Sequence, residues 1–383
     1  MEAKARRGVE ISSGETQCQT RLAPNSQPFK PLSICDILFN FHQTGCCAME
    51  DRLTVIITTS PVPTAPSTEL LTTVLDSFSK HCPQLLECSV IVTIDTFDKA
   101  GNQARLKKGR VSHQTAGDFE LYTQNVKQLI LDRFTHDKSP ELECATSVAE
   151  FGSPFKEENT IPTQISSTSD GRVTFIEPQA RIGFSLAVKS ALEITTREYV
   201  WIHQHDWTLQ TDVPIASMIN VMQSQHSDAA SPVRYIGLPS IRLLKYAEQS
   251  DNVRYLSFRK LTQDFKRPFE VPSKENADAI PLTPFFFWQD KPHVASKEHY
   301  MQRIFPSRMA TKRGAFIEDT VGQKARTQMK ENPEQFKKWA TWLYYPDDGK
   351  ELCLRHLDGR VWKGTERELL SIDRWRSQGR QAV

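Results

Sequence analysis

The rhythm of apolar and polar positions changes at residue 53. Residues 53–57 (LTVII) form an unbroken, mostly β-branched run, the pattern of a strand buried on both faces. A Pro-rich loop follows, and then Leu70, Leu71, Val74, Leu75 and Phe78 fall at helical spacing. Residues 89–94 (SVIVTI) predict a second buried strand ending at Asp95, and 173–176 a short third. Phe184, Ala187, Val188, Ala191 and Leu192 recur every three or four positions and predict a helix. A fourth strand follows at 199–203 (YVWIH), then a helix over about 213–223 with Pro214 tolerated in its first turn. Strand, helix, strand, helix in this order predicts a mostly parallel α/β sheet with helices on its faces. The stretch between Asp95 and Val173 reads as an insertion with one helix, 119–134, and then a polar loop.

Beyond 235 the pattern weakens. One more strand is expected at 235–238, followed by mixed loops, an aromatic run at 285–288 and a Lys/Gln/Glu-rich segment after Gly322. A C-terminal hairpin is expected in which 352–357 and 360–362 flank the two-residue turn Asp358-Gly359. Residues 1–50 lack sustained periodicity apart from an apolar run at 32–41, which predicts one docking helix. The organisation is therefore a largely irregular N-terminal extension (1–50), a first half (51–240) with an insertion at about 100–170, and a second half (241–383) of the same domain.

Composition narrows the class. The 48 Lys and Arg residues nearly balance 46 Asp and Glu, a formal charge of +2, which gives no bulk-charge reason to bind nucleic acid. With 20 Phe, 7 Trp and 8 Tyr the chain has the means to build a sizeable core. No run approaches the roughly 18 apolar residues of a membrane span, and the charged start has no apolar segment behind it. The eight cysteines (Cys18, Cys35, Cys46, Cys47, Cys82, Cys88, Cys144, Cys353) are scattered without a CxxC pair, the pattern of reduced thiols. A cytoplasmic protein is the default expectation.

In an open parallel sheet, ligands bind outside the carboxyl ends of the strands. That rule selects 58–60, 95–98 and 203–207. The third group runs straight from a strand into Gln204-His205-Asp206-Trp207, so an acid emerges at the functional edge. Asp206 there could hold a hard divalent cation that bridges phosphate oxygens; equally, it could cap the following turn, with His205 a surface residue.

The ordered set of Asp95, Arg181-Ile182-Gly183-Phe184-Ser185-Leu186-Ala187 leading a helix, and YVWIHQHDW resembles a family 2-type glycosyltransferase of the GT-A fold. In that family a Gly-x-x-x-Ala helix, matched by Gly183 and Ala187, precedes a strand ending in an Asp-x-Asp motif that binds metal and nucleotide sugar. Here His205-Asp206-Trp207 stands in its place, with only the central acid kept. Arg313-Gly314-Ala315-Phe316-Ile317-Glu318-Asp319-Thr320 resembles the family's glycine loop and x-Glu-Asp motif, which implies Asp319, or Glu318 beside it, as general base. His356 falls where the fold places a histidine that completes the metal site, and Asp95 where an acid contacts nucleobase or ribose. Phe285 to Tyr300 falls in the acceptor region: the resemblance implies Trp288 stacking on a sugar, Asp290 and His293 binding hydroxyls, and Gly314 beside them. Phe285, Phe286 and Phe287 read as core. Arg181 could pair with diphosphate as a bidentate donor or sit in a surface ion pair.

The resemblance thus implies a GT-A-type sheet and transfer of a sugar from a nucleoside-diphosphate sugar to a hydroxyl acceptor, inverting and dependent on Mn²⁺ or Mg²⁺. A non-catalytic nucleotide- or sugar-binding protein remains an alternative. A nucleotidyltransferase is disfavoured, because the loop after the first strand (Thr58-Thr59-Ser60-Pro61-Val62-Pro63) has neither Gly nor Lys.

Overall fold

The structure is a computed structural model and describes residues 49–137, 140–152, 159–271, 279–306 and 311–370. The chain divides into two units, Met1–Cys46 and Cys47–Val383, and every described residue belongs to the second. The expected helix at 32–41 and Cys18, Cys35, Cys46 and Cys47 lie outside the described residues.

The first half follows its pattern closely. β1 (Leu53–Thr59) is buried at every position. α1 (Glu69–His81) then turns Leu70, Leu71, Val74, Leu75 and Phe78 inward. β2 (Ser89–Ile94) pairs parallel to β1, placing Val55 beside Val90 and Thr59 beside Ile94. β3 (Lys99–Ala100) and β4 (Arg110–Val111) make a small separate ladder, and α2 (Phe119–Phe134) covers the sheet through Tyr122, Val126, Ile130 and Phe134.

The insertion departs from expectation. In place of a polar loop it forms a hairpin of β5 (Leu142–Glu150) and β6 (Thr160–Thr168), which extends the sheet edge through β7 (Val173–Pro178). A hydrophobicity reading misses both strands because the buried positions of β6 include Thr163, Ser166 and Thr168 rather than aliphatic residues, and β5 is exposed at most positions. Thr is nonetheless a good strand former, since its branched Cβ suits the pleated surface.

α3 (Phe184–Ile194) follows, then β8 (Tyr199–Gln204), paired parallel to β1 on the side opposite β2. The strand order therefore reverses at β1, and the crevice at the carboxyl ends of β1, β2 and β8 is the ligand position of such sheets. After β8 come β9 (Trp207–Leu209), α4 (Ile215–Ser224) and β10 (Tyr235–Gly237). Pro214 caps α4 at its N-terminus, just outside the helix.

The remaining elements are α5 (Leu256–Phe265), β11 (Arg267–Glu270), β12 (Ala279–Pro284), β13 (His293–Ser296), α6 (Gln323–Glu331), β14 (Thr341–Tyr344) and β15 (Leu354–His356). Among the described residues the main sheet has eleven strands in the order β11-β12-β14-β10-β13-β8-β1-β2-β7-β6-β5. β13, β12 and β6 run against the shared direction of the others, so the sheet is mixed and mostly parallel. Strands from both halves thus join one sheet. The Phe285–Phe286 run sits in its core: Phe286 stacks on Phe258, with centroids 4.1 Å apart, and Phe285 meets Tyr235 and Tyr246.

The expected C-terminal hairpin is replaced by a longer-range pairing. β15 runs antiparallel to β9, setting Leu354 opposite Leu209 and His356 opposite Trp207. This ladder buries Leu354, Leu209 and Trp207, whereas 360–362 offers an exposed Arg360 and Val361 as a partner. Burial of apolar surface decides between the two pairings. No helix among the described residues is long and apolar enough to cross a membrane. Cys82, Cys88, Cys144 and Cys353 are free thiols.

Candidate active site

The crevice at the switch point is lined by the ends of β1, β2 and β8, by Lys107 and Arg181, and by the loop around Gly359 and Arg360. At its floor, Thr59 Oγ1 lies 2.8 Å from His205 Nδ1 and 2.9 Å from the Tyr122 hydroxyl. The His205 ring is buried, and burial pulls its pKa below the ordinary histidine value, so it is neutral at pH 7. Its Nδ1 is directed inward, onto β1.

Asp206 is buried at this edge, at 8% exposure. Its Oδ2 lies 3.1 Å from His356 Nε2 and accepts a hydrogen bond from Gly359 N at 3.2 Å. Its Oδ1 is buried without a hydrogen-bond partner. Burial works to raise its pKa, but the His356 hydrogen bond, the charges of His205 and His356, and the Gly359 amide prevail and hold it at about 2. His356 is delivered by the β9–β15 ladder, which also lays its ring 4.6 Å from that of Trp207. Its Nδ1 lies 2.8 Å from Asp358 Oδ1. Burial lowers the His356 pKa, yet the two carboxylates outweigh it and leave the net shift upward.

Asp95 ends β2 and is spent on backbone. Oδ1 accepts from Ile182 N at 2.8 Å and Thr96 N at 3.0 Å, and Oδ2 from Gly183 N at 2.8 Å. Burial pushes this carboxyl up to about 6 against the pull of those amides. The clamp fixes the entry to α3, where Gly183 sits at φ +82°. A Cβ there would lie 2.4 Å from Gly314 Cα, and Gly314 N donates to Ile182 O at 2.7 Å. Two glycine backbones therefore touch, an approach that side chains would forbid. That contact carries the loop ahead of Glu318 and Asp319 against the first wall of the crevice. Arg181 and Arg313 both pair with Asp98, at 3.5 and 2.5 Å, so the charge of Arg181 is shared with a carboxylate although it lines the crevice.

A second lobe adjoins the first and shares Lys107, Gln204, Phe316 and Arg360 with it. Its walls include Glu318, Asp319, Asp290, Lys291, Arg242 and His356. Asp319 is exposed and Glu318 half-buried. Glu318 and Asp290 hold each other through the backbone: Asp290 N donates to Glu318 Oε2 at 3.3 Å, and Glu318 N to Asp290 Oδ2 at 3.2 Å. Burial, with the charges of Glu318 and Asp319 adding to it, drives the Asp290 pKa well above the usual carboxylate range. Lys291 Nζ donates to Ser240 Oγ at 3.0 Å, and burial pulls its pKa down to about 8.

The structure thus gathers His205, Asp206, Asp95, Arg181, Gly183, His356, Gly314, Glu318 and Asp319 around one two-lobed cleft. Trp288 and His293 are placed elsewhere. In place of an exposed stacking platform, Trp288 is 0% exposed and packs on Tyr235 and Tyr300. His293 is equally buried, its Nδ1 against Lys291 O at 2.6 Å and Nε2 against the Tyr300 hydroxyl at 3.0 Å. Neither has a free polar edge for an acceptor. Asp290 lines the second lobe but is turned to Glu318.

Sequence pattern alone does not select Gly359, Asp358, Arg360, Lys107 or Lys291 as site residues. The Asp358-Gly359 turn carried a signal, since the glycine permits its amide to approach Asp206; a Cβ there would lie 3.0 Å from Asp206 Cβ. Among the described residues, no three His, Cys, Asp or Glu side chains converge as a metal-binding group. The donor on offer is Asp206, whose orphaned Oδ1 a cation would satisfy; His356 beside it has Nε2 against Asp206 and Nδ1 against Asp358, so it would ligate only after losing a proton and turning from one of them. Asp206, with His356 so released, fits a hard ion that completes its shell with water and phosphate oxygens.

No family model and no curated protein matches the chain. Several solved structures show some likeness. The mannosyltransferase PcManGT from Pyrobaculum calidifontis, in complex with GDP-Man and Mn²⁺, is 12% identical over 78% of this chain and 58% of its own, with a TM-score of 0.35. S. aureus TarS 1-349 is 10% identical over 79% of this chain and 59% of its own, TM-score 0.35. GalNAc-T7 with UDP, GalNAc and Mn²⁺ is 7% identical over 85% and 49%, TM-score 0.36. The matched part spans about half to three-fifths of those chains. At these scores the likeness carries no argument about the site, whose chemistry is read from its own geometry.

Proposed function

We propose that the chain is a glycosyltransferase that moves a sugar from a nucleoside-diphosphate sugar to a hydroxyl acceptor with inversion at the anomeric carbon. The observation that carries this reading is that Asp206 and the Glu318–Asp319 pair, 113 positions apart, open onto adjoining lobes of one cleft. In this reading the first lobe binds the nucleoside diphosphate. Lys107 and Arg360, lining both lobes, lie near the negative charge that develops on the leaving diphosphate. A Mn²⁺ or Mg²⁺ ion held by Asp206 and His356 would supply charge neutralisation of that diphosphate.

The acceptor occupies the second lobe. Its hydroxyl oxygen forms the new bond to the anomeric carbon as the bond from that carbon to the diphosphate oxygen breaks. The electron pair of the broken bond leaves with the diphosphate, and the hydroxyl proton passes to Asp319, the exposed carboxylate, with Glu318 beside it as the other candidate. Gln204 Nε2 donates to Asp290 O at 2.8 Å and so ties the β8 end to the second wall.

The test is Asp319→Asn. Turnover is expected to fall by about 10²- to 10⁴-fold, the usual worth of general-base catalysis, while calorimetric binding of the nucleoside diphosphate persists. Unchanged turnover would exclude Asp319 as base, and loss confined to Glu318→Gln would assign the role to Glu318. A second reading, a non-catalytic nucleotide-sugar-binding protein, is favoured by the flanks of Asp206. His205 turns its Nδ1 to Thr59 and Trp207 packs on His356, so neither adds a carboxylate donor for a metal. Nucleotide affinity independent of Mn²⁺, with no donor hydrolysis, would select it.

A further inference from the structure

The charged groups of the second lobe sort into those already neutralised and those left over. Arg355 is paired with Glu368 at 2.6 Å, and His356 with Asp206 and Asp358. Arg181 and Arg313 share Asp98 in the neighbouring lobe. Lys107, Arg360, Arg242 and Lys291 have no carboxylate within ion-pair distance among the described residues. The first two line both lobes and serve the diphosphate in the proposed transfer. Arg242 and Lys291 line the second lobe alone.

Lys291 is the informative member. It is half-buried, and its hydrogen bond to Ser240 Oγ spends one of three ammonium donors. A partly desolvated ammonium with donors to spare is unfavourable unless an anion meets it. None of the local carboxylates pairs with it directly: Asp290 exchanges backbone hydrogen bonds with Glu318, Asp358 is paired with His356, and Glu318 acts on Lys291 only from beyond ion-pair distance.

We propose that the second lobe takes an anionic acceptor, whose phosphate or carboxylate group is bound by Lys291 and Arg242 while its hydroxyl faces Glu318 and Asp319. This rests on the glycosyl-transfer reading and narrows its acceptor class. A neutral polyol or sugar would leave both cations unmatched.

The test is calorimetry on the full chain, with nucleoside diphosphate saturating so that Lys107 and Arg360 are occupied. The probes are glycerol 3-phosphate, glucuronate and glycerol. The phosphate or the carboxylate probe is expected to bind at least tenfold tighter than glycerol, and the better of the two identifies the anion. Arg242→Gln, at an exposed position, and Lys291→Met are each expected to weaken that probe by about tenfold, the worth of one charged hydrogen bond, and to leave nucleotide binding unchanged. Equal binding of all three probes, or a charge preference that survives both variants, would overturn the proposal. Failure of any nucleoside diphosphate to bind would instead remove the donor reading, and the same probes without nucleotide would still decide the lobe.

Discussion

Asp206 and Asp290 stand at two corners of one cleft, both hidden from water at 8% and 2% exposure, and titrate in opposite directions. Asp206 faces two imidazoles and a backbone amide and stays ionised down to about pH 2. Asp290 faces Glu318 and Asp319 and stays protonated well above the usual range. Burial raises the pKa of both; what differs is the sign of the neighbouring charge. A carboxylate at a parallel-sheet edge therefore has no fixed role. The first corner keeps a negative charge beside two imidazoles, and the second disfavours one beside two further carboxyl groups.

The largest disturbance to this pairing of corners is expected at the contact that joins them. Gly183→Val must combine positive φ with a Cβ inside contact distance of Gly314, and destabilisation of about 3–5 kcal/mol is expected from strain and overlap together. Denaturant unfolding would read it, and a loss below about 1 kcal/mol, the ordinary size of a point-mutation effect, would show that the two walls are not held by this approach.

Asp206→Asn comes next. It removes the charge that pairs with His356, and about 2 kcal/mol of destabilisation is expected, below the usual 3–5 for a broken buried pair because His356 is 40% exposed. Nucleotide affinity should also fall, and in the Asn variant its dependence on Mn²⁺ should vanish. Undiminished Mn²⁺ dependence would remove Asp206 from the metal site.

Asp290→Asn sharpens the contrast through pH. A carboxyl whose folded pKa is raised binds more protons folded than unfolded, so wild-type stability should decline as pH rises from about 4 toward the raised value. The slope is at most about 1.4 kcal/mol per pH unit for one proton. The Asn variant should lose this decline while matching the wild type near pH 4. Asp206 acts oppositely: its folded pKa is depressed, so its contribution is present above about pH 4 and is lost as pH falls toward 2. Identical pH profiles for wild type and Asp290→Asn would refute a raised Asp290 pKa.

The smallest effect is expected from His356→Gln. The folded His356 pKa is raised, so its stabilisation is fully present below the unfolded value near 6.5 and fades as pH climbs through the folded one. After solvent screening about 1 kcal/mol or less is expected near pH 6, shrinking at pH 9. A gap that grew with pH would mean that His356 is not protonated beside Asp206.

Much of this architecture was legible from one-dimensional pattern. β1, β2, α1, α2, α3 and β8 have apolar residues at the period their elements require, because each buries a face or both faces wherever the rest of the chain goes. The switch-point rule then pointed to Asp95 and to His205-Asp206. The β5–β6 hairpin escaped because Thr and Ser take several of the buried positions of β6 and β5 is mostly exposed. The β9–β15 ladder escaped because the Asp358-Gly359 turn offers a local hairpin that only burial elsewhere rejects. Trp288 and His293 were read as acceptor ligands because a sequence shows which side chains are capable of binding, not which of them the fold encloses.

What the sequence alone determined is the set of elements and the edge at which chemistry gathers, since periodicity and strand ends are local properties of the chain. Only the tertiary structure decided which acids keep their charge, which aromatics meet solvent, and that Gly183 touches Gly314 while Gly359 reaches Asp206. Those outcomes depend on the charges and surfaces that packing brings within a few ångströms, and residues more than a hundred positions apart in the chain supply them.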